Sequence, residues 1–495
     1  MRTFSALILS YQASMSEQSL KERTAKGLFW GGLNNGFQQL LGLIFGIILG
    51  RLLSPSEYGM IWMISIFSLI GTALQNSGFR NAIANLKQPT HNDYNAVFWF
   101  NIIAGCSIYV ILFFCAPLIA HFFHHKELVP LCRYAFLSIV FSSLGTAQSA
   151  YLFRNLRVKD QAKAGMIAVI ISNIVGVTMA WKGFSYWALA TQTLTYILLN
   201  SLLLWYYSPW RSSLQIDFTP LKKMFKFSCK ILATTILTHV NTSILNILLG
   251  RFYTPREVGN YSQANIWSSK CYYLLQGMVD QVAQPLFTVV TDEHERQLHI
   301  LRKLVRFTAF LSFPMLLGLS LVSHEFILIT IGEKWLVSAD YLQILCLGGA
   351  FIPLYTVFSN LIISKGKSGT YLLITLGLCL SQILIMLLLF PYGILTMIVA
   401  YTLINVLWVF VNHFFVKKYT GYRMTHFLLD ILPFALTALG VMCITYACTM
   451  MIVNPYLLLL VRVVVAALLY YILMRAANVV VLKECMDFIF RRKTL

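Results

Sequence analysis

Apolar runs of about twenty residues, each closed by a short polar or Gly/Pro break, recur along the whole chain. A helix needs roughly 20 mainly apolar residues to cross a bilayer core of about 30 Å. Fourteen runs meet this, near 27–49, 58–79, 96–120, 134–153, 164–181, 184–207, 228–249, 258–280, 307–330, 341–363, 370–390, 392–415, 427–450 and 455–480. Some neighbours are parted only by a turn, such as "WKGF" at 181–184 and "FPYG" at 390–393. No gap is long enough for a separate soluble domain. The pattern predicts an all-α polytopic membrane protein with about 14 transmembrane helices.

One break is written twice. "LGRLLSPSEYG" at 49–59 and "LGRFYTPREVG" at 249–259 share six of eleven residues, 200 apart. Ser54 and Thr254 stand as N-caps, Pro55 and Pro255 suit the first helical turn, and Glu57 and Glu257 fall where a capping box needs them. A good helix–turn–helix explains each copy; the recurrence adds duplication. The copies follow spans 1 and 7, so six spans lie between them and both have the same orientation. This predicts two parallel-repeat six-helix lobes plus two C-terminal helices. The domains are then a tail at 1–19, an N-lobe at 20–212, a C-lobe at 213–420, and spans 13–14 with a basic tail at 421–495. Met15 is the expected start of translation, or else 1–14 is a dispensable tail.

The register extends upstream. Asn35, Gln39, Gly42 and Gly46 share one face of span 1, and Thr235, His239, Thr242 and Asn246 stand at the equivalent places in span 7. A polar stripe in a membrane helix faces protein or water rather than lipid. Helix packing and the lining of a central cavity both account for it.

Charge then changes the picture. Hydrophobic residues make up 58% of the chain and charged residues 11%, against a formal net charge of +20. If the N-terminus is cytoplasmic, 29 of the 38 Lys and Arg fall in inside segments, seven in outside loops, and Lys270 and Arg462 within spans. This is a positive-inside signal, not a nucleic-acid footprint, and it puts both termini in the cytoplasm. Lys270 lies about 18 Å down span 8, near the bilayer midplane. Gln263, Gly277, Gln281 and Gln284 share its face. There it would attract an anionic substrate from an aqueous cavity, the alternatives being snorkelling or a structural pair. Arg462, about 10 Å into span 14, reads as snorkelling outward. Arg80 and Asp280 are pseudo-equivalent near the cytoplasmic ends of spans 2 and 8, placed as interfacial charges or as a gate pair. Lys26 and Lys226, also 200 apart, are interfacial anchors that could collect a phosphate.

Catalytic patterns are missing. The ten cysteines form no CxxC or metal spacing, and His121, His124 and His125 read as an outside loop. No nucleotide-binding motif, acid pair or triad pattern is seen, so neither cofactor nor metal is expected.

Three stretches carry a resemblance: "RTAKGLFWGG" before span 1, the hinge after it, and "IGEKWLVSADYLQILCLGGAFIPLYTVFSNLIISKGKS" at 331–368. In order, over nearly the whole chain from Met15, they resemble the lipopolysaccharide, colanic acid and teichuronic acid exporter branch of the multidrug/oligosaccharidyl-lipid/polysaccharide exporter superfamily. The resemblance implies a flippase, not an enzyme. Its substrate would be undecaprenyl-diphosphate-linked oligosaccharide, moved across the inner membrane by alternating access for surface polysaccharide such as O-antigen. It also implies ion antiport (H+ or Na+) or membrane-potential coupling, for which Asp280 is a candidate proton carrier, and association with a polymerase. Rivals are a multidrug exporter, with twelve spans and acidic cavity residues, and a lipid II flippase. A membrane glycosyltransferase or polymerase would need a longer outside loop than the roughly fifteen residues around 120–133.

Overall fold

A computed structural model describes Trp30 and residues 32–79, 82–83, 86, 89–290 and 293–490, without the side chains of 226, 227, 230, 285, 289, 485 and 488–490. Among the described residues there is no strand. Two compact units divide between Val240 and Asn241, inside a long helix.

The first unit holds α1 (Gly32–Leu52), α2 (Pro55–Asn76), α3 (His91–Phe123), α4 (Leu128–Ala135), α5 (Leu137–Arg154), α6 (Val158–Trp181), α7 (Trp187–Tyr207) and the start of α8 (Thr219–Phe252). Its packed base joins Phe79, Tyr94, Val97, Phe98 and Trp210. The segment after α7 is tied to the start of α3. There Trp99 Nε1 donates to the Ser213 carbonyl at 2.8 Å, and Asn95 Oδ1 accepts from the Ser213 amide at 2.9 Å. Deeper in, Gln75 Nε2 donates to Asn101 Oδ1 at 2.6 Å and to Thr146 Oγ1 at 3.2 Å, linking α2, α3 and α5. Such bonds glue helices where water is absent, each worth about 0.6 kcal/mol on average in a membrane.

The second unit continues with the rest of α8, then α9 (Pro255–Val289), α10 (His294–Leu321), α11 (Ser323–Thr330), α12 (Leu336–Gly349) and α13 (Ile352–Ser364). It ends with α14 (Ser368–Leu389), α15 (Ile394–Thr420), α16 (Met424–Thr449), α17 (Pro455–Ala476) and α18 (Val480–Phe490). Helix α9 packs against α10, α12 and α13, while α10 packs against α16.

Among the described residues, thirteen helical segments are long and apolar enough to cross a membrane, and the protein is a multi-pass membrane protein. These thirteen match the expected runs in order. The remaining run, near 258–280, corresponds to α9, which is 35 residues long but too polar to qualify by composition. The run expected at 307–330 begins earlier: α10 starts at His294, and α11 is a separate short helix.

The two hinges fold alike. Leu53 N–H donates to the Leu49 carbonyl at 2.8 Å and Tyr58 N–H to Ser54 at 3.2 Å. Two hundred residues on, Tyr253 donates to Leu249 at 2.9 Å and Val258 to Thr254 at 3.2 Å. The capping box forms only in the first copy. The Ser54 amide donates to Glu57 Oε2 at 2.6 Å, and the Glu57 amide donates back to Ser54 Oγ at 3.4 Å. Thr254 makes no side-chain cap bond. Glu257 instead accepts from Tyr341 Oη at 2.8 Å, because α12 brings that phenol to the hinge. The second copy has exchanged a local cap for a tertiary tie.

Candidate functional site

Helix α9 is polar on two faces, and the two faces do different work. One, joined by Asn260 from the opposite side of the helix, is spent on neighbouring helices. Ser262 Oγ donates to Asn246 Oδ1 at 2.9 Å, and Ser338 Oγ to Asn260 Oδ1 at 3.2 Å. Gln276 Nε2 donates to Thr356 Oγ1 at 2.7 Å, and Asn360 Nδ2 to Asp280 Oδ1 at 2.7 Å. These bonds hold α9 to α8, α12 and α13. They let a helix this polar stay in the membrane, since a polar group without a partner there costs several kcal/mol, about the same as in any apolar solvent.

The other face is open. Lys270, Gly277, Gln281 and Gln284 recur at helical spacing along it. Lys270 is half-buried, with Nζ 4.9 Å from the centre of the Trp267 ring. That cation–π contact holds the ammonium in place without neutralising it. A side chain placed at Gly277 would meet no atom within 4 Å, and Gln281 and Gln284 are exposed. Gln263, two turns before Lys270, is 3% exposed and belongs to the interior.

In the first unit, α1 sorts its polar residues the same way. Asn34 and Gln38 bond each other at 3.0 Å and crowd Gly165 of α6, where an added Cβ would lie 2.8 Å from Gln38 Nε2. The adjacent stripe faces away from that contact. Asn35 and Gln39 are exposed, and a Cβ added at Gly42 or Gly46 would meet no atom within 4 Å. Along α8, Thr235 and His239 are half-buried, Thr242 is exposed and Asn246 is buried. The stripe of span 7 thus ends in an interior hydrogen bond at the position where span 1 has Gly46. Lys26 and Arg80 lie outside the described residues, as does the side chain of Lys226. Asp280 is exposed beyond its bond to Asn360.

Two buried charge clusters escaped the sequence reading. Asp430 of α16 is fully buried, accepting from Arg302 Nε at 2.8 Å, Arg302 Nη2 at 3.0 Å, Arg306 Nε at 2.6 Å and Tyr422 Oη at 2.8 Å. A lone carboxylate in an apolar run, opposite two arginines spaced i, i+4, was the available signal. Arg462 does not snorkel. It is buried, donating from Nη1 to Glu325 Oε1 at 2.9 Å and to the Leu321 carbonyl at 3.2 Å, and from Nε to Thr449 Oγ1 at 3.2 Å. Glu325 supplies its counter-charge inside the bundle. The histidines of "HFFHHKE" close α3, with His124 as its left-handed C-cap at φ 60°. No group of metal ligands occurs among the described residues.

Comparison with known proteins fits this picture. The family described as "Polysaccharide biosynthesis protein" matches residues 48–340. A membrane protein of the cps region of Klebsiella pneumoniae is 26% identical over 70% of this chain and 73% of its own. The lipopolysaccharide biosynthesis protein WzxC of Escherichia coli is 25% identical over 70% and 71%. The teichuronic acid biosynthesis protein TuaB of Bacillus subtilis is 24% identical over 71% and 73%. Among solved structures, the lipid II flippase MurJ, in an inward closed conformation, superposes with a TM-score of 0.73 at 16% identity, over 91% of this chain and all of that one. An inward-facing multidrug transporter of the MATE family gives 0.62 at 16% identity, over 78% and 94%. With more than half of its length matched, the chain belongs to the polysaccharide biosynthesis protein family.

Proposed function

We propose that this protein is a secondary transporter that flips undecaprenyl-diphosphate-linked oligosaccharide repeat units across the bacterial inner membrane by alternating access. The observation that carries this reading is the family match over 48–340, joined to a fold like that of a lipid II flippase. Two of the relatives named above are a lipopolysaccharide and a teichuronic acid biosynthesis protein. No covalent chemistry is required. The work is to bind an anionic diphosphate and its sugars on one side and release them on the other.

The open stripes supply the matching chemistry. Lys270, pinned over Trp267, is a fixed positive charge on the open face of α9. A diphosphate is drawn to it by charge. Asn35, Gln39, Thr235, His239, Thr242 and Gln281 offer donors and acceptors to sugar hydroxyls. Lys26 and Lys226 would gather the phosphates at the cytoplasmic face, and Arg80 with Asp280 would gate it. Both termini are cytoplasmic in this reading, and an ion gradient drives the cycle. A partner polymerase would receive the flipped unit.

A multidrug exporter is the second reading, favoured by the MATE-like fold. The cation on α9 argues against it, because a cationic drug would be repelled. The test is complementation of a deletion strain at matched protein level, scored by where the lipid-linked oligosaccharide accumulates. Wild type and Lys270→Arg restore export, while Lys270→Ala and Lys270→Glu leave the substrate in the inner leaflet. Full rescue by Lys270→Glu would remove Lys270 from the site.

A further inference from the structure

Within the second unit, α10, α16, α17 and α18 line an open cavity of about 800 Å³. Its mouth is cationic. Arg302 and Arg306 line it, with side chains 31% and 46% exposed, and both reach the buried Asp430. Beside them Lys303 pairs with Glu484 of α18 at 2.9 Å. One carboxylate between two guanidiniums leaves this mouth with a net positive charge. Asp430 uses Nε and Nη2 of Arg302, and each guanidinium keeps further N–H donors for a second acceptor. The arginines are also pre-ordered, so holding them for a ligand costs little extra conformational entropy.

Below the mouth the walls are apolar: Pro433, Leu436, Gly440 and Ile444 on α16, and Leu473 and Met474 on α17. From Asp430 to Ile444 the lining descends about 20 Å along α16. One leaflet is about 15 Å deep, half of a roughly 30 Å hydrocarbon core. Gly440 leaves its part of the wall open, since a Cβ there would meet nothing within 4 Å.

We propose that this cavity is a binding site for an anionic glycerophospholipid, its phosphate held by Arg302 and Arg306 and an acyl chain laid along α16. The combination of a phosphate-matching guanidinium pair at the rim and an apolar groove at least one leaflet deep fits a lipid better than a soluble anion, which would leave the groove unfilled. With both termini cytoplasmic, as proposed above, α10 starts on the cytoplasmic side and the mouth opens at the inner leaflet; this placement rests on that reading. There anionic lipids are enriched and basic residues concentrate.

The experiment uses the full chain, purified and stripped of lipid in a neutral detergent. Phosphatidylglycerol and phosphatidylcholine of equal chain length are titrated separately, and bound lipid is counted by native mass spectrometry. Phosphatidylglycerol binds about tenfold more tightly, one factor of ten being about 1.4 kcal/mol. Arg306→Gln, which leaves Asp430 paired with Arg302 and Tyr422, removes that preference. Gly440→Leu obstructs the groove without touching a charge and weakens both lipids about tenfold, while the unfolding temperature without lipid is unchanged. Equal binding of the two lipids, or wild-type binding by both variants, overturns the proposal. So does undecaprenyl phosphate displacing phosphatidylglycerol at lower concentration, which would assign the groove to the carrier lipid. None of these readings depends on transport, so a failure to flip oligosaccharide would leave the lipid site standing.

Discussion

Arg462→Met tests whether the buried pair with Glu325 braces the C-terminal helices. The two side chains are 8% and 13% exposed and 2.9 Å apart, with Thr449 and the Leu321 carbonyl taking the other guanidinium bonds. Removing one partner of such a pair leaves an uncompensated buried charge, at a cost of about 3–5 kcal/mol. For a unit of this size that lowers the unfolding temperature by roughly 6–20 °C. Removing both partners is much cheaper. Arg462→Met with Glu325→Leu puts apolar groups into apolar surroundings and costs about 1 kcal/mol or less. The assay is thermal unfolding in detergent of the wild type, both single variants and the double variant, read as a double-mutant cycle. A coupling of about 2 kcal/mol or more supports the pair. If each single variant falls within about 1 kcal/mol of wild type and the effects simply add, Arg462 is an interfacial anchor after all and the bracing account is wrong.

The hinges should respond unequally. Ser54→Ala loses a side-chain cap and costs about 1 kcal/mol, whereas Thr254→Ala costs a few tenths, about the propensity difference alone; denaturant titration of the two variants checks this. Tyr341→Phe should destabilise the second hinge by about 1 kcal/mol by stripping Glu257 of its donor, while the equivalent loss has no counterpart at the first hinge. Topology is checked by labelling in a cysteine-free background. Lys182→Cys reacts with an impermeant maleimide in intact cells, and Ser212→Cys reacts only after permeabilisation; the reverse pattern would invert the positive-inside assignment.

Much of the fold was legible because lipid imposes a length rule. Runs such as 370–390 and 455–480 are uniformly apolar, and helices Ser368–Leu389 and Pro455–Ala476 stand there. The duplicated hinge was legible because Pro and capping residues act locally. Its second capping box was not, since Glu257 is claimed by Tyr341 from 84 residues away. Helix α9 was read correctly as a helix despite its polarity, yet its two polar faces could not be separated. Gln263 and Lys270 share a helical face, and only the packing of neighbouring helices buries one and opens the other. Asn246 is the same case, matched in register to Gly46 but engaged by Ser262. The charge clusters at Asp430 and Arg462 escaped because their partners lie 124 to 137 residues distant. A single charge in an apolar run signals burial or snorkelling alike. The fold supplies the counter-charge that decides.

The most direct test of the transport reading is reconstitution. Purified full-length protein is placed in proteoliposomes with a fluorescent undecaprenyl-diphosphate oligosaccharide in both leaflets, and the fraction reachable by an impermeant quencher or glycosidase is followed in time. A flippase raises this fraction from about half toward completion, and Lys270→Glu slows the approach at equal protein density. An accessible fraction that stays at about half with wild-type protein, with or without an ion gradient, would contradict the transport reading.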